Sequence, residues 1–301
     1  QTMTVSSGAF AELLWPGIRE IWGNSYNDWE ALYRKIFTVK KSDKAFEKEQ
    51  GVTGLPLASI KQQGSPIAFV DPYQGYQEEY IPVVYAIGAG VTREMYDDDQ
   101  YNYISQLPKL LARSMQQTEE TTHFNVLNNA FTAGVTAGAD GVALASNAHP
   151  LVGGGANQSN IPDTASDLTM TSFETACTDI MDFVDEQSLK IYVKPRLLVV
   201  PTALWAIGEK ILGTDRAVGS ADNDINVVRA KAKLIVSPWL TDTDAFFVVT
   251  DVPNGLVSYE RRAADIDRDN EFNTQNLLFT STRRWSQGFT DHRCIYASQG
   301  A

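Results

Sequence analysis

The sequence predicts an α+β fold, on three observations. Apolar and small residues recur at steps of three and four from Tyr103 to Phe131, helical and strand-like patterns alternate between 167 and 250, and strand-like runs with little helix signal fill 251–301. The first makes a long helix, the second a small mixed sheet covered by helices, and the third a set of late strands.

The long helix is expected over 97–132. Tyr103, Leu107, Leu110, Leu111, Ser114, Met115, Thr118, Thr122, Val126, Ala130 and Phe131 share one broad face, and the expected packing positions are Leu107, Leu110, Leu111, Met115, Val126 and Phe131. The triplet Asp97-Asp98-Asp99 is placed to accept hydrogen bonds from the free N–H groups of the first turn and to favour the positive end of the helix dipole. Gly134 marks the stop. At about 1.5 Å per residue the helix spans roughly 48 Å. Pro108 lies inside it and predicts a kink near Leu107, because it removes a donor and crowds the preceding turn.

The chain has 301 residues, enough for one large or two modest domains, and 43% hydrophobic with 21% charged residues marks it as globular. A formal net charge of −12 argues against a nucleic-acid-binding surface, since such surfaces gain affinity by replacing counterions with Lys and Arg. An acidic protein can still sit beside DNA if its task is to avoid sticking to it. Cys177 and Cys294 have no metal-like spacing and read as buried free thiols of a reducing compartment. No apolar run approaches a membrane span and no signal-peptide pattern opens the chain, so the expectation is a soluble protein made inside the cell.

Residues 1–37 read as an N-terminal arm (1–10), an apolar stretch from Phe10 to Trp22 around Pro16, and a short helix from Asn27 to Phe37. That helix has an Asn or Asp cap and carries Trp29, Leu32, Tyr33 and Ile36 on one side. Residues 38–90 are dense in Gly and Pro between short β-like runs such as Ile67–Val70 and Ile81–Tyr85, which predicts an extended, hairpin-like excursion. Ordering it costs on the order of 50–100 kcal/mol at roughly 1–2 kcal/mol per residue, with few apolar groups to form a core of its own. It therefore either stays mobile or finds partners on another chain. Lys61 and the aromatics Phe69, Tyr73, Tyr76, Tyr80 and Tyr85 are the candidate inter-subunit contacts, an ordinary flexible surface loop being the alternative.

Beyond the long helix, Ala139–Ala145 reads as a turn followed by a strand, and Gly153-Gly154-Gly155 as a connection rather than a phosphate cradle, because no Lys-Ser or Lys-Thr follows. Leu168–Val184 and Ala203–Leu212 are predicted helices, Ile225–Ala230 a possible short one, and Pro195–Pro201, Lys233–Val236 and Ala245–Thr250 strands. Late strands are expected at Leu256–Arg262, Thr274–Trp285 and Phe289–Ser298, all returning to the long helix, with Asp265–Asn270 as a charged turn.

Chemistry is sparse. There are three histidines, no Gly-x-Ser-x-Gly elbow, no His-Glu-x-x-His helix and no local context for a cysteine nucleophile. His292 and Cys294 would share one face of a strand, too little for a catalytic pair. Asp265-x-Asp267-x-Asp269-x-Glu271 has the alternating oxygens of a calcium loop but Asn270 where the glycine belongs, so it reads as a solvated turn. The expectation is no catalytic, cofactor-binding or metal site.

The order of these parts resembles the major capsid proteins of tailed bacteriophages. The motifs most resemble the Mu-like major head subunits: Asn128-Asn129, Asp140–Leu144, Ala148-His149-Pro150-Leu151 with the following glycines and Ser159-Asn160, Lys194–Pro201, Ser237–Asp242 and Arg283–Asp291. The resemblance runs from about Met95 to the C-terminus and more loosely before. It implies the tailed-phage major capsid fold: N-arm 1–37, extended loop 38–90, a peripheral domain of 91–166 and 251–301 with its spine helix, and an axial α/β domain of 167–250. It further implies a non-enzymatic subunit that assembles in the host cytoplasm into hexamers and pentamers of an icosahedral or prolate virion head around double-stranded DNA, with scaffold, portal and decoration proteins as partners. Some members of the family cross-link through a Lys to Asn isopeptide bond, and Lys61 lies in the corresponding loop; no partner Asn is identifiable. The rival readings are an encapsulin-like cellular shell and a cytosolic α/β hydrolase.

Overall fold

The computed structural model describes residues 17, 19–26, 30–64, 66–67, 69–72, 74–98, 106–136, 138–216, 225–271 and 273–301. The arm at 1–10, the stretch Phe10–Trp15, the cap at Asn27 or Asp28, and Trp29, Tyr73, Asp99 and Tyr103 lie outside the described residues.

After a helix at 19–26 (α1) and the short α2 (Tyr33–Ile36), the chain forms β1 (Thr38–Lys41), β2 (Glu47–Val52), β3 (Gln74–Tyr80), β4 (Val83–Val91) and α3 (Arg93–Asp97). The long helix, α4, is Leu107–Asn128, shorter at both ends than expected. Asp97 closes α3 instead of opening α4; the side chain of Thr92 caps α3 by accepting from Met95 N. Pro108 falls in the first turn of α4, where its missing N–H is not needed and its fixed φ suits a helix start, so it begins the helix and does not kink it. At the other end Asn128 anchors the helix to the chain crossing below it, its Nδ2 donating to Trp239 O at 3.0 Å and its Oδ1 accepting from Thr241 N at 3.1 Å.

Leu107, Leu111, Met115 and Val126 are buried as expected, together with Phe124 and Leu127. Leu110 is 53% exposed, a correction. At 3.6 residues per turn it lies roughly 140° round the helix from Met115, on the opposite side from the packed face. Phe131 follows the helix end and is partly buried against the main core.

Two four-stranded sheets organise the molecule. The first has the order β1-β8-β9-β4, with β8 (Leu256–Asn270) and β9 (Leu277–Phe289) a long antiparallel hairpin, β4 antiparallel to β9 and β1 parallel to β8. Helix α4 lies across β9 and β4. Asp265–Asn270 is strand and not a turn: Ile266 points inward while Asp265, Asp267 and Asp269 alternate away from it, and the reversal falls at 271–276.

The second sheet has the order β10-β7-β5-β6, from β5 (Pro195–Pro201), β6 (Lys233–Ser237), β7 (Phe246–Thr250) and β10 (Ile295–Ser298). Alternation along its central strands buries both faces. Leu198, Val200, Phe246 and Val248 join a core with Phe173 and Ile180 of α5 (Met170–Met181) and Ile211 and Leu212 of α6 (Trp205–Gly213), while Leu197, Val199, Phe247 and Val249 face Phe124, Leu127 and Tyr33. The last predicted strand therefore does not return to the long helix; β10 pairs antiparallel with β7, so only β8 and β9 close the first sheet. The strand expected after Gly141 is irregular chain, held by Ala145 N donating to Ala130 O, and 227–230 is a turn where a short helix was possible.

The 38–90 excursion narrows to a β2–β3 hairpin, since β1 and β4 belong to the first sheet. Ile67 and Val70 lie in irregular chain, and the run from Ile81 becomes strand only at Val83.

The packed face of α4 makes a direct contrast between neighbours. Leu111→Asp places a carboxylate in the core beside Trp22 and Phe279 and is expected to cost more than ~4 kcal/mol, whereas Leu110→Asp stays within about 0.5 kcal/mol of wild type in urea unfolding. Equal losses in the two variants would show that the face is misassigned.

Candidate functional site

Three charged or ionisable side chains of α4, Glu119, Glu120 and His123, are 2% exposed or less. Sequence reasoning missed them, although Leu111, Met115, Glu119 and His123 form one unbroken row at steps of four. Arg283 of β9 pairs with the Glu119 carboxylate, and its Nη2 lies 3.2 Å from Glu260 Oε1 of β8. The Tyr26 hydroxyl donates to Glu119 Oε1 and accepts from Arg283 Nη1. His123 donates from Nδ1 to the Glu119 carbonyl at 2.7 Å and accepts at Nε2 from Ser258 Oγ at 2.8 Å, with the Tyr33 ring stacked on it at 4.0 Å. The Glu120 carboxylate accepts from Leu32 N at 2.6 Å and Tyr33 N at 3.2 Å, which caps α2. Burial lowers His123 to about 3, with the Arg283 and Arg34 charges acting in the same direction. Burial also raises Glu120 to about 7, the two backbone bonds opposing it.

The hairpin is the second candidate. Lys40 Nζ reaches Glu49 Oε1 at 2.5 Å, Tyr259 donates to the same carboxylate, and Lys48 pairs with Glu79 across the strands at 3.2 Å. Beyond these ties, residues 53–72 carry no strand or helix among the described residues, and Leu55, Leu57, Ile60, Ile67 and Phe69 stand in solvent, Ile60 at 97% and Phe69 at 93% exposure. Lys61 is exposed in the same stretch.

The remaining aromatic candidates make contacts within their own chain. Tyr76 donates to Pro150 O at 3.3 Å, Tyr80 shares a 2.7 Å hydrogen bond with Thr290 Oγ1 and is buried against Tyr259, and Tyr85 stacks on Trp285 at 4.0 Å. They anchor the base of the excursion. Its tip carries the uncovered apolar surface.

Neither cysteine is poised for chemistry. Cys294 is buried in the main core with its thiol pushed well above the ordinary value by burial, and burial raises Cys177 to about 11. His292 and Cys294 belong to a 3-10 turn and not to one strand face, and the His292 ring stacks on His149. With Asp140 these two histidines form a cluster that sequence reasoning did not foresee, because its members are far apart in the chain.

The family described as phage capsid protein matches residues 76–298. No curated protein matches the chain. Among solved structures, a virus-like particle from Pyrococcus furiosus superposes with a TM-score of 0.56 at 10% identity, over 93% of this chain and 97% of that one. Mycobacterium phage Patience gives 0.57 at 11% identity over 100% and 90%. The capsid of bacteriophage JBD30, decorated with minor capsid protein trimers, gives 0.57 at 13% over 72% and 95%. At these identities the likeness establishes a common fold.

The opposed shifts on α4 set a pH dependence. Glu120, raised from 4.5 to about 7, contributes stability that is fully present below pH 4.5 and is lost as pH rises through 7, because the unfolded chain ionises first. His123, lowered from 6.5 to about 3, acts oppositely, since the unfolded chain takes up its proton first as pH falls below 6.5. Glu120→Gln is therefore expected to make unfolding free energy climb more steeply with pH between about 4.5 and 6.5 than in wild type. Parallel curves from denaturant titrations at several pH values would refute the assignment.

Proposed function

The chain belongs to the phage capsid protein family, and we propose that its copies cluster as hexamers and pentamers in a closed icosahedral or prolate shell around packaged double-stranded DNA. It is a structural major capsid protein of the phage head, with the fold of tailed-phage capsid subunits; its place is the virion capsid and it is not an enzyme.

The observation that carries the assembly reading is the tip of the β2–β3 hairpin. Covering one large apolar side chain contributes ~1.5–3 kcal/mol, and residues 53–72 leave Leu57, Ile60 and Phe69 without cover in their own subunit. A neighbouring subunit supplies that cover, and each tip position, Lys61 included, recurs at every lattice contact. In this reading the second sheet with α5 and α6 forms the axial domain at capsomer centres, with β10 added to the 167–250 segment. The first sheet and α4 form the peripheral domain, and the loop that reaches the neighbour is the 47–80 hairpin.

The segments Ala148–Leu151, Lys194–Pro201, Ser237–Asp242 and Arg283–Asp291 support placement beside the Mu-like head subunits. The net charge of −12 suits an inner wall along which DNA slides. Scaffold, portal and decoration proteins are the proposed partners, with assembly in the host cytoplasm. A shell of this fold also occurs as a virus-like particle in Pyrococcus furiosus; the family match favours the phage head, and nucleic acid inside purified particles, rather than enzyme cargo, separates the two.

Negative-stain microscopy with light scattering on the purified chain should show shells, sheets or stable capsomers, and the Ile60→Asp/Phe69→Asp double variant should keep the wild-type circular dichroism and melting of the free subunit while assembling none of them. Normal shells from the variant would overturn the role of the tip. A wild-type chain that stays monomeric at every concentration, with its scaffold present, would overturn the shell reading.

A further inference from the structure

One buried polar cluster stands apart from both the Arg283–Glu119 network and the hairpin tip. Asp140 lies in a turn beyond α4, His149 forms an isolated β-bridge with Gln158, and His292 opens the 3-10 turn before β10, so the cluster sits where three irregular segments meet. His149 is 0% exposed, and its Nδ1 lies 2.6 Å from Asp140 Oδ2. A carboxylate at that distance accepts from Nδ1–H, and in the neutral ring Nε2 then carries the lone pair. That Nε2 and the Nε2 of His292 are both buried without a hydrogen-bond partner. The two rings lie face to face, 3.9 Å apart and 5° from parallel.

Folded chains rarely leave one buried nitrogen unsatisfied, and here two neighbouring imidazoles share the condition. A carboxylate that holds Nδ1–H while Nε2 stays free is the arrangement by which proteins orient a metal-bound histidine. One ligand atom from each of Asp140, His149 and His292 lies within 4.8 Å of the others. Access is also present. Asp140 and His292 line a cleft of about 380 Å³ under the β2–β3 hairpin, whose wall also carries Glu49, Asp185, Glu186 and Asp291. Arg293, the cation in that wall, is already paired with Glu186 at 2.9 Å and Asp291 at 3.2 Å. The surplus of carboxylates attracts cations to the mouth of the site.

We propose that Asp140, His149 and His292 form a binding site for a divalent cation of the zinc class, with the two Nε2 atoms as ligands, Asp140 orienting His149, and water or a cleft carboxylate completing the shell. Imidazole donors select zinc, cobalt, nickel or copper over magnesium and calcium, which take oxygen ligands. Zinc–nitrogen bonds are about 2.0–2.1 Å, and lone pairs in two parallel rings do not converge on one point at that distance. Metal uptake therefore turns one ring out of the stack. His292 is the ring that turns: the Asp291 Oδ1 beside its Nδ1 lies at 3.8 Å, beyond hydrogen-bond range, whereas His149 is held by Asp140 at 2.6 Å. The ion then ties the turn after α4 to the entry of β10, across the junction of the two sheets, and stabilises the folded subunit by mass action.

The test uses the full chain, stripped with chelator and reloaded with cobalt(II) and then zinc(II). The expected result is one cobalt per chain, with visible absorption bands of four- or five-coordinate strength that one equivalent of zinc removes. Zinc should raise the melting temperature by several degrees, while calcium and magnesium at the same concentration leave it unchanged. Asp140→Asn should weaken zinc binding roughly 10–100-fold, and His292→Gln should abolish the cobalt bands. Because the cobalt spectrum is read on wild type, a variant that fails to fold does not block the test. Only the weak spectrum of hydrated cobalt, or a zinc-induced melting shift that persists in a folded His292→Gln chain, would overturn the site and leave ordered water as the partner of the two nitrogens.

Discussion

Arg283 and Glu119 meet in the interior with side chains 4% and 3% exposed, and that pair constrains how the layers of the molecule fit together. Removing two ions from water costs several kcal/mol each, and their attraction offsets this only with good geometry and further hydrogen bonds, which reach both ions although Arg283 Nε itself lacks a partner. The groups that meet them come from separate parts of the chain: Glu260 from β8, Tyr26 from α1, Tyr33 from α2. The apolar contacts of α4 with the sheet would tolerate a shift along the helix axis. The ion pair does not, because one turn of slippage would leave a charge buried alone. In this way a polar contact sets the register of a helix that hydrophobic burial only holds in place.

The same helix also joins the two sheets. Phe124 and Leu127 near its C-terminal end pack against Val199, Phe247 and Val249, and Asn128 binds the backbone on both sides of Leu240. The chain leaves the first sheet at Phe289 and ends in the second at β10. The two sheets thus share one hydrophobic cluster, and a shear between them would have to break it. The hairpin differs. Its strands β2 and β3 form a separate two-stranded sheet, tied to the body through Glu49, Tyr76 and Tyr80. A rigid body with one protruding element suits a wall in which the same subunit must meet neighbours at slightly different angles.

What the sequence revealed and what it hid follow from the range of the interactions. The amphipathic spacing of α4, the strand between prolines at 195–201 and the Gly- and Pro-rich excursion are local signals; the strand appears with the expected bounds, and the helix and the excursion appear with their ends moved. Pro108 misled as a kink because the periodicity was read through a helix start that tertiary structure places at Leu107. Leu110 misled because an apolar residue next to a stripe was counted as part of it. The destination of β10 was illegible, since a short apolar strand carries no mark of which sheet completes it. Glu119 and His123 were passed over; their i, i+4 spacing with Leu111 and Met115 was the available signal. Asp140, His149 and His292 left none, because only the fold brings them together.

Charge and exposure together explain why this subunit gains by association. Several of its cations are already engaged internally: Arg283 with Glu119, Arg293 with Glu186 and Asp291, Lys40 with Glu49, and Arg196 with the carbonyls of Lys35 and Ile36 that end α2. With a net charge of −12, subunits repel one another at long range. Attraction must then be short-ranged and apolar, and among the described residues the hairpin tip is one place where large apolar side chains stand exposed, alongside Val135, Tyr192, Trp205, Ile225 and Val227. Fixing residues 53–72 costs about 20–40 kcal/mol at roughly 1–2 kcal/mol each, more than Leu57, Ile60 and Phe69 return at a single contact, so the difference has to come from backbone pairing and from the contacts that the tip makes as the ring closes. Assembly by many weak contacts against a repulsive background is cooperative, and it favours closed shells over isolated pairs.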